Sequence, residues 1–229
     1  MRYLSKDERR EAILQAAMRV ALAEGLAAMT VRRIAAEAGV ATGQVHHHFT
    51  SGGELKSLAF VRLIRELLDA DVAGKQAGWR EQLHGMLGSD DGRFEPYIRL
   101  WREAQILASR DADIKGAYVM TMEMWHQETV ALIKAGTEAG ELNPGDRAEN
   151  IAWRLIGLVC GLDGMYILNM PEMDEAAFNN HLDKLITLPG GGDALSGLRY
   201  GKGGQPLCAL FPGLRMCIKP RHYRRQLRQ

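Results

Sequence analysis

The sequence predicts an all-α protein, and three observations carry that prediction. Hydrophobic residues make up 46% of the 229 residues, which is enough for a packed core. Prolines number only 7, and apolar residues recur at helical spacing far more often than in strand-type alternation. Glycines and turn signals then divide the chain into a predicted N-terminal domain at 5–52, a second helical domain at 53–188 and a tail at 189–229.

Composition also bears on where the protein works. The three cysteines, Cys160, Cys208 and Cys217, are odd in number and irregularly spaced, which argues against a disulfide framework. The first ten residues are charged and polar, unlike a signal peptide. No apolar run approaches the ~20 residues of a membrane span. We therefore expect a cytoplasmic protein with no membrane partner.

The first predicted helix has signals at both of its ends. Ser5 and Glu8 have the spacing of a capping box, in which each side chain bonds to the other residue's backbone N–H. The helix is expected to run to about Glu24 and to end at Gly25. One face of it is apolar, and this helix has the length to brace the segment that follows.

Residues 30–49 predict two short helices joined by a tight turn. Thr30 is placed to cap the first helix, and Gly39 lies where a left-handed backbone ends it. The second helix is expected over about Thr42 to His48. A helix, a short turn and a second helix describe a helix-turn-helix, whose second helix enters the major groove of DNA.

The second helix of this pair carries side chains suited to reading DNA. Gly43 allows close approach of the backbone, and Gln44 both donates and accepts, as an adenine edge requires. Thr42 suits a phosphate or a thymine methyl group. His46 and His47 suit phosphates or guanine acceptors. A metal site at the three histidines is rejected, because successive helical residues point about 100° apart.

Two arginines open the first helix of the pair. Arg32 and Arg33 lie at a helix N-terminus, where the backbone N–H groups and a basic side chain together favour a phosphate. An exposed helix face is the alternative for both.

The same residues resemble the TetR-type bacterial transcriptional regulators. The resemblance rests on fixed spacing across residues 8–60, namely Gly39-Val40, Ala41, Gly43, His46-His47-His48-Phe49 and Glu54-Leu55. It implies an N-terminal three-helix DNA-binding domain followed by a helical domain for effector binding and dimerisation. It further implies that Lys56 contacts phosphate, and a solvated lysine is the alternative.

Three positions depart from that family pattern. Ala41 stands where a capping Ser is common, so Thr42 is expected to cap the recognition helix. His46 stands where a Tyr often touches phosphate, and Gly52 stands where a Lys often begins the next helix.

Beyond the helix-turn-helix, the apolar spacing predicts six further helices, over 53–73, 79–87, 95–109, 111–139, 146–169 and 174–188. Asp146 is expected to cap the fifth of these. The last two have wide apolar faces, which favour a four-helix interface between two copies of the chain. Completion of the monomer's own core is the alternative. The tail is glycine-rich and then basic, with eight Lys or Arg against Asp193, and is expected to be disordered.

Aromatic and methionine side chains in the middle helices fill ordinary cores, and they also line apolar ligand pockets. The family resemblance implies that some of them line an effector cavity; the candidates are Trp101, Gln105, Tyr118, Met122, Glu123, Trp125, His126, Trp153 and Met165. Glu123 beside the tryptophans favours a flat cation, while an anionic or a neutral ligand stays open.

These observations together predict a ligand-responsive transcriptional regulator. We expect a homodimeric repressor that binds a palindromic operator in double-stranded DNA and is released by a small molecule. A DNA-binding activator or regulator without an effector is one alternative, and a helical small-molecule-binding protein is another. An enzyme is not expected, because no nucleophile motif, paired carboxylates beside a histidine or Cys/His ligand set is present; no cofactor or metal is expected either.

Overall fold

The structure is a computed structural model that describes residues 5–70, 74, 76–88, 92–142 and 145–187. Within those residues every regular element is a helix. A short 3₁₀ turn, Leu26–Ala28, lies between the first two α-helices. In chain order the helices are α1 (Lys6–Glu24), α2 (Val31–Ala38), α3 (Thr42–His48), α4 (Gly52–Leu68), α5 (Trp79–Leu87), α6 (Glu95–Leu107), α7 (Ala112–Glu138), α8 (Ala148–Ile167) and α9 (Glu175–Thr187). The predicted all-α class is confirmed.

The helix ends in the N-terminal part follow the local signals. Ser5 and Glu8 form the predicted capping box at the start of α1. The Thr30 hydroxyl accepts from the Arg33 N–H and caps α2. Gly39 ends α2 with φ +65°, a left-handed conformation that favours glycine.

Two of the predicted caps are wrong. Thr42 is the first residue of α3, and Ala41 occupies the capping position with an extended backbone and no side-chain hydrogen bond. Asp146 lies two residues before α8, whose capping position is Arg147. The Asp146 carboxylate accepts from the Arg147 N–H and from the Asn150 amide, so it fixes the approach to α8.

The buried side chains form two clusters. The first core cluster comes from α1 to α4 and is completed by Leu100 and Ala104 of α6 and by Ile114 and Ala117 of α7. The second core cluster comes from α5, α7, α8 and α9 and includes Trp125, Leu155 and Leu182. The long helix α7 contributes to both, so it joins the helix-turn-helix end of the molecule to the body.

The first core cluster takes in side chains from beyond residue 52, and the domain boundary at 52/53 stays a prediction. The predicted tail, 189–229, lies outside the described residues. Among the helices of the described ranges, none has the length and apolar composition needed to cross a membrane.

Candidate nucleic-acid interface and effector site

Helix α3 has one anchored side and one open side. Val45 and the adjoining Phe49 are buried, 1% and 2% exposed, and hold the helix against the first core cluster. The five predicted DNA-binding residues of this helix, Thr42, Gly43, Gln44, His46 and His47, are all exposed. A Cβ at Gly43 would meet nothing within 4 Å, so the backbone is open to close approach there. The polar side is therefore free to enter a groove.

The end of α3 lies beside several cations. His48 is half-buried and touches His47 edge-on, with ring centroids 5.3 Å apart. Burial lowers the pKa of His48, and so do the positive charges of His47, Lys6, Arg9 and Arg10. The first turns of α1 therefore bring positive charge to the recognition helix, where a phosphate backbone would be attracted.

The two arginines at the start of α2 differ. Arg32 is exposed, whereas the Arg33 guanidinium donates to Glu24 at 2.6 Å and to Glu37 at 3.1 Å. These carboxylates raise the pKa of Arg33. Arg19 binds Glu37 from α1 at 3.0 Å. Arg33 thus braces α2 against α1, while Arg32 is available to phosphate.

The joint between α3 and α4 is fixed by polar contacts. The Ser51 hydroxyl accepts from the Glu54 N–H, and the Glu54 carboxylate accepts the N–H and the hydroxyl of Thr50, each at 2.6 Å. The Thr50 bonds lower the pKa of Glu54. The Arg10 guanidinium lies over the Phe49 ring, 4.6 Å from its centroid. Lys56, one turn into α4, is half-buried.

Three predicted effector residues meet in the body as an aromatic cluster, Trp101, Tyr118 and Trp125. Trp101 contacts Tyr118 and Trp125 edge-on, with centroids 5.3 and 5.4 Å apart. Met122 packs against the second core cluster together with Trp101. The indole nitrogen of Trp125 is buried, and no described residue accepts its N–H. An unsatisfied buried donor of this kind is costly and calls for an acceptor.

Polar groups border the aromatic cluster. Burial raises the pKa of Tyr118, the charge of nearby Cys160 adds to that rise, and a hydrogen bond from Trp101 opposes it. Burial and Asp163 raise the pKa of the Cys160 thiol. The Arg102 guanidinium donates twice to Asp163, at 2.6 and 3.0 Å, and so ties α6 to α8.

The remaining predicted effector residues lie elsewhere. His126 stacks on Trp153, with centroids 4.2 Å apart and ring planes 17° apart, and its Nε2 lies 3.0 Å from the Glu149 carbonyl oxygen. Gln105, Glu123 and Met165 are exposed. Arg102, Asp163 and Cys160 were not predicted, because residues 61 positions apart leave no local signal of their pairing.

One face of α8 is open and apolar. Trp153 is 47% exposed and Leu168 is 72% exposed. Between them, at spacings of three and four residues, the exposed positions of this face are Gly157, Gly161, Gly164 and Met165. We call this set the α8 stripe. A Cβ added at any of its three glycines would meet nothing within 4 Å.

Comparison with known proteins identifies the family. A model described as "Bacterial regulatory proteins, tetR family" matches residues 13–55, which span the helix-turn-helix. The chain is 30% identical over 162 residues to the HTH-type transcriptional repressor KstR2 of Mycobacterium tuberculosis, covering 66% of this chain and 76% of that protein. It is 29% identical over 164 residues to the HTH-type transcriptional regulator BetI of Rhizobium meliloti, covering 69% and 76%.

A solved structure shares the fold. A transcriptional regulator from Saccharomonospora viridis, solved in complex with choline, superposes with a TM-score of 0.62 at 23% identity, over 79% of this chain and 96% of that one. Identity at this level shows the fold alone. The sequence match to KstR2, the family match over the helix-turn-helix and the open polar side of α3 lead to one conclusion: the chain belongs to the TetR family of bacterial regulatory proteins and is a transcriptional regulator.

Proposed function

We propose that this regulator is a repressor that binds a palindromic operator as a homodimer and releases it when a small molecule binds the body. The observation that carries the DNA part is the open side of α3. Five polar or small residues project from a helix whose opposite side is anchored by Val45 and Phe49. Binding, rather than catalysis, is the action that this arrangement supports.

The residues divide by the part of DNA that they suit. Gln44 matches the paired donor and acceptor of adenine, and His46 and His47 match guanine acceptors or phosphate. Thr42 and Gly43 lie at the start of α3, where the protein backbone would approach the DNA most closely. Arg32 and Lys56 are the phosphate contacts, and Arg33 joins them only if it leaves Glu24 or Glu37.

Selection of random duplex DNA on the purified protein tests this assignment. The wild type should enrich a palindrome. A variant with Gln44, His46 and His47 changed to Ala should lose that enrichment and keep weak, salt-sensitive binding, because phosphate contacts do not depend on sequence. Enrichment of the same palindrome by both proteins would contradict the assigned base-reading residues.

The α8 stripe is the surface that we assign to the second copy of the chain. Its two ends are apolar and its middle is glycine, so a second helix can approach closely and cover Trp153 and Leu168. Exposed contiguous apolar surface of this kind marks an interaction site. Two linked copies would then read half-sites about 34 Å apart.

A charged side chain placed in the middle of the stripe tests the dimer. Gly161→Arg should give a monomer in sedimentation velocity. The matched control is Gly116→Arg, at an exposed glycine of α7 that likewise has open space around it. It should leave the dimer intact. A dimeric Gly161→Arg protein would rule out the stripe as the interface.

The effector site that we propose is the aromatic cluster, and the ligand class is a small organic cation that carries an oxygen acceptor. The rings of Trp101, Tyr118 and Trp125 suit a cation, and the Trp125 N–H, for which no described residue is an acceptor, suits the oxygen. Choline, bound by the S. viridis regulator, has both features. The three rings contact one another edge-on, so binding would have to separate them.

Choline and its uncharged isostere 3,3-dimethylbutan-1-ol form a matched pair of probes. Choline should raise the melting temperature and weaken operator binding, whereas the isostere should do neither. Trp101→Leu should remove the choline effect. Trp79→Leu should keep it, because Trp79 lies against Gly136 near the end of α7, outside both the aromatic cluster and the α8 stripe. Equal responses to the two probes would favour a neutral ligand.

The sign of regulation is proposed from one relative, since KstR2 is named a repressor. A reporter gene placed behind the selected palindrome tests it. Expression should fall when the regulator is present, and a rise would favour the activator.

A further inference from the structure

Helix α6 contacts the end of α1 through two side chains. The Arg99 guanidinium donates to the Leu22 carbonyl oxygen at 2.6 Å. The Glu103 carboxylate accepts from the Leu26 N–H at 2.7 Å. Leu22 lies in the last turn of α1, where carbonyl groups lack partners within the helix, and Leu26 opens the 3₁₀ turn that follows. Side chains on two adjacent turns of α6 thus bind the Leu22 carbonyl and the Leu26 N–H, which lie on either side of the bend after α1.

Glycine at position 25 makes this contact feasible. Gly25 has φ +88°, a backbone conformation that residues other than glycine rarely adopt. A Cβ there would also lie 2.6 Å from Glu103 Oε1, so the carboxylate occupies the space that a side chain would need. The bend between α1 and α2 is therefore shaped to receive α6.

A second carboxylate of the body contacts the helix-turn-helix end in the same manner. The Asp113 side chain, at the start of α7, lies against Gly53 at the start of α4, where a Cβ would collide with it. Both contacts join the body to the DNA-binding helices at a glycine.

The same helix α6 is also tied to the rest of the body. Arg102 binds Asp163 of α8, and Trp101 lies in the aromatic cluster. Helix α6 therefore connects the α1 bend, the proposed effector site and the helix that carries the proposed dimer face. Together with the first core cluster, this connection holds the DNA-binding helices on the body.

We infer that Arg99 and Glu103 form a polar latch that fixes the orientation of the DNA-binding helices on the body and so sets the spacing between the half-sites that the dimer recognises. The inference rests on the proposed dimeric binding of a palindrome. The two residues act as positioning residues, since neither lies on the α3 surface.

Selection from a duplex library with two fixed half-sites and a spacer of variable length tests the latch. The wild type should enrich one spacing. The double variant Arg99→Ala/Glu103→Ala should enrich several spacings of the same half-site sequence. Its affinity for the wild-type spacing should fall about tenfold or more, because two charged hydrogen bonds are lost. The single variant Glu103→Gln keeps both Arg99 and an acceptor oxygen, so it should retain much of the preference for one spacing.

One control variant and one pair of single variants keep the outcome clear. Glu95→Ala removes another carboxylate of α6, which pairs with Arg102 and not with α1. This variant should leave the spacing preference unchanged. Should the double variant fail to fold in a thermal melt, Arg99→Ala and Glu103→Ala are each measured alone by the same selection.

The possible failures are distinguishable. A folded latch variant that enriches the wild-type spacing alone, with wild-type affinity, would overturn the latch and leave the proposed function standing. A wild type that enriches no palindrome would overturn the proposed function, and the latch would fall with it.

Discussion

The two core clusters of this regulator are built differently. In the first core cluster the helices α1, α2 and α4 begin with side-chain caps, at Ser5, Thr30 and Ser51, and the interior holds aliphatic residues, small alanines and Phe60. In the second, α5 and α8 begin without a side-chain cap, as α3 does beside the first, whereas α7 is capped by Asp111. The buried Thr129 hydroxyl donates back to the Trp125 carbonyl, and the Trp125 N–H finds no acceptor among the described groups.

This difference indicates a division of labour. A fully buried aliphatic interior suits a region that must present α3 in one fixed geometry. The buried Trp125 N–H, for which no described residue is an acceptor, and the open α8 stripe suit a region that other molecules complete, namely the proposed ligand and the proposed second copy. We therefore expect the first core cluster to contribute more to stability and the second to contribute more to binding.

The largest expected effect is the loss of Phe60 from the first core cluster. Phe60 is fully buried, and Phe60→Ala should lower the free energy of unfolding by about 3–5 kcal/mol, because truncation leaves a cavity in addition to the lost transfer energy. Chemical denaturation measures this change.

The matched substitution is Phe178→Ala, at a side chain that packs against the second core cluster. Phe178 of α9 is only half-buried, so its loss should cost about half as much or less, since the partly exposed ring gains less from burial. Equal losses at the two positions would break the contrast between a closely packed and a more open cluster.

The same contrast explains what could be predicted from sequence. The cap at Thr30 and the left-handed backbone of Gly39 depend on neighbours three to five residues away. The local sequence is therefore enough to predict both. The aromatic cluster depends on α6 and α7 packing side by side, and the Arg102–Asp163 pair on residues 61 positions apart. His126 and Trp153 were placed in one predicted site with Trp101, but the packing of α7 on α8 pairs them with each other.

Helix capping offers a second, smaller test. Thr30→Ala removes the hydroxyl that accepts the Arg33 N–H and should cost about 1 kcal/mol. Ala41→Ser supplies a hydroxyl where α3 has none, on a backbone with φ −72° and ψ 148° that already suits a cap, and should stabilise by about 0.5–1 kcal/mol. Urea unfolding measures both. Loss of stability in Ala41→Ser would show that the missing cap is compensated elsewhere.

The smallest expected effect is a pH dependence that originates at His48. Burial and the charges of His47, Lys6, Arg9 and Arg10 lower its pKa in the folded protein. Below the ordinary value of about 6.5 the unfolded chain therefore binds the proton more readily, so stability falls as the pH drops through this range. His48→Gln should reduce the loss of stability between pH 7.5 and 5.5, measured by urea unfolding, whereas His46→Gln, at an exposed position, serves as the control. An unchanged pH dependence in His48→Gln would place its origin in other groups, and the end of α3 would then tolerate a charged histidine beside the cations of α1.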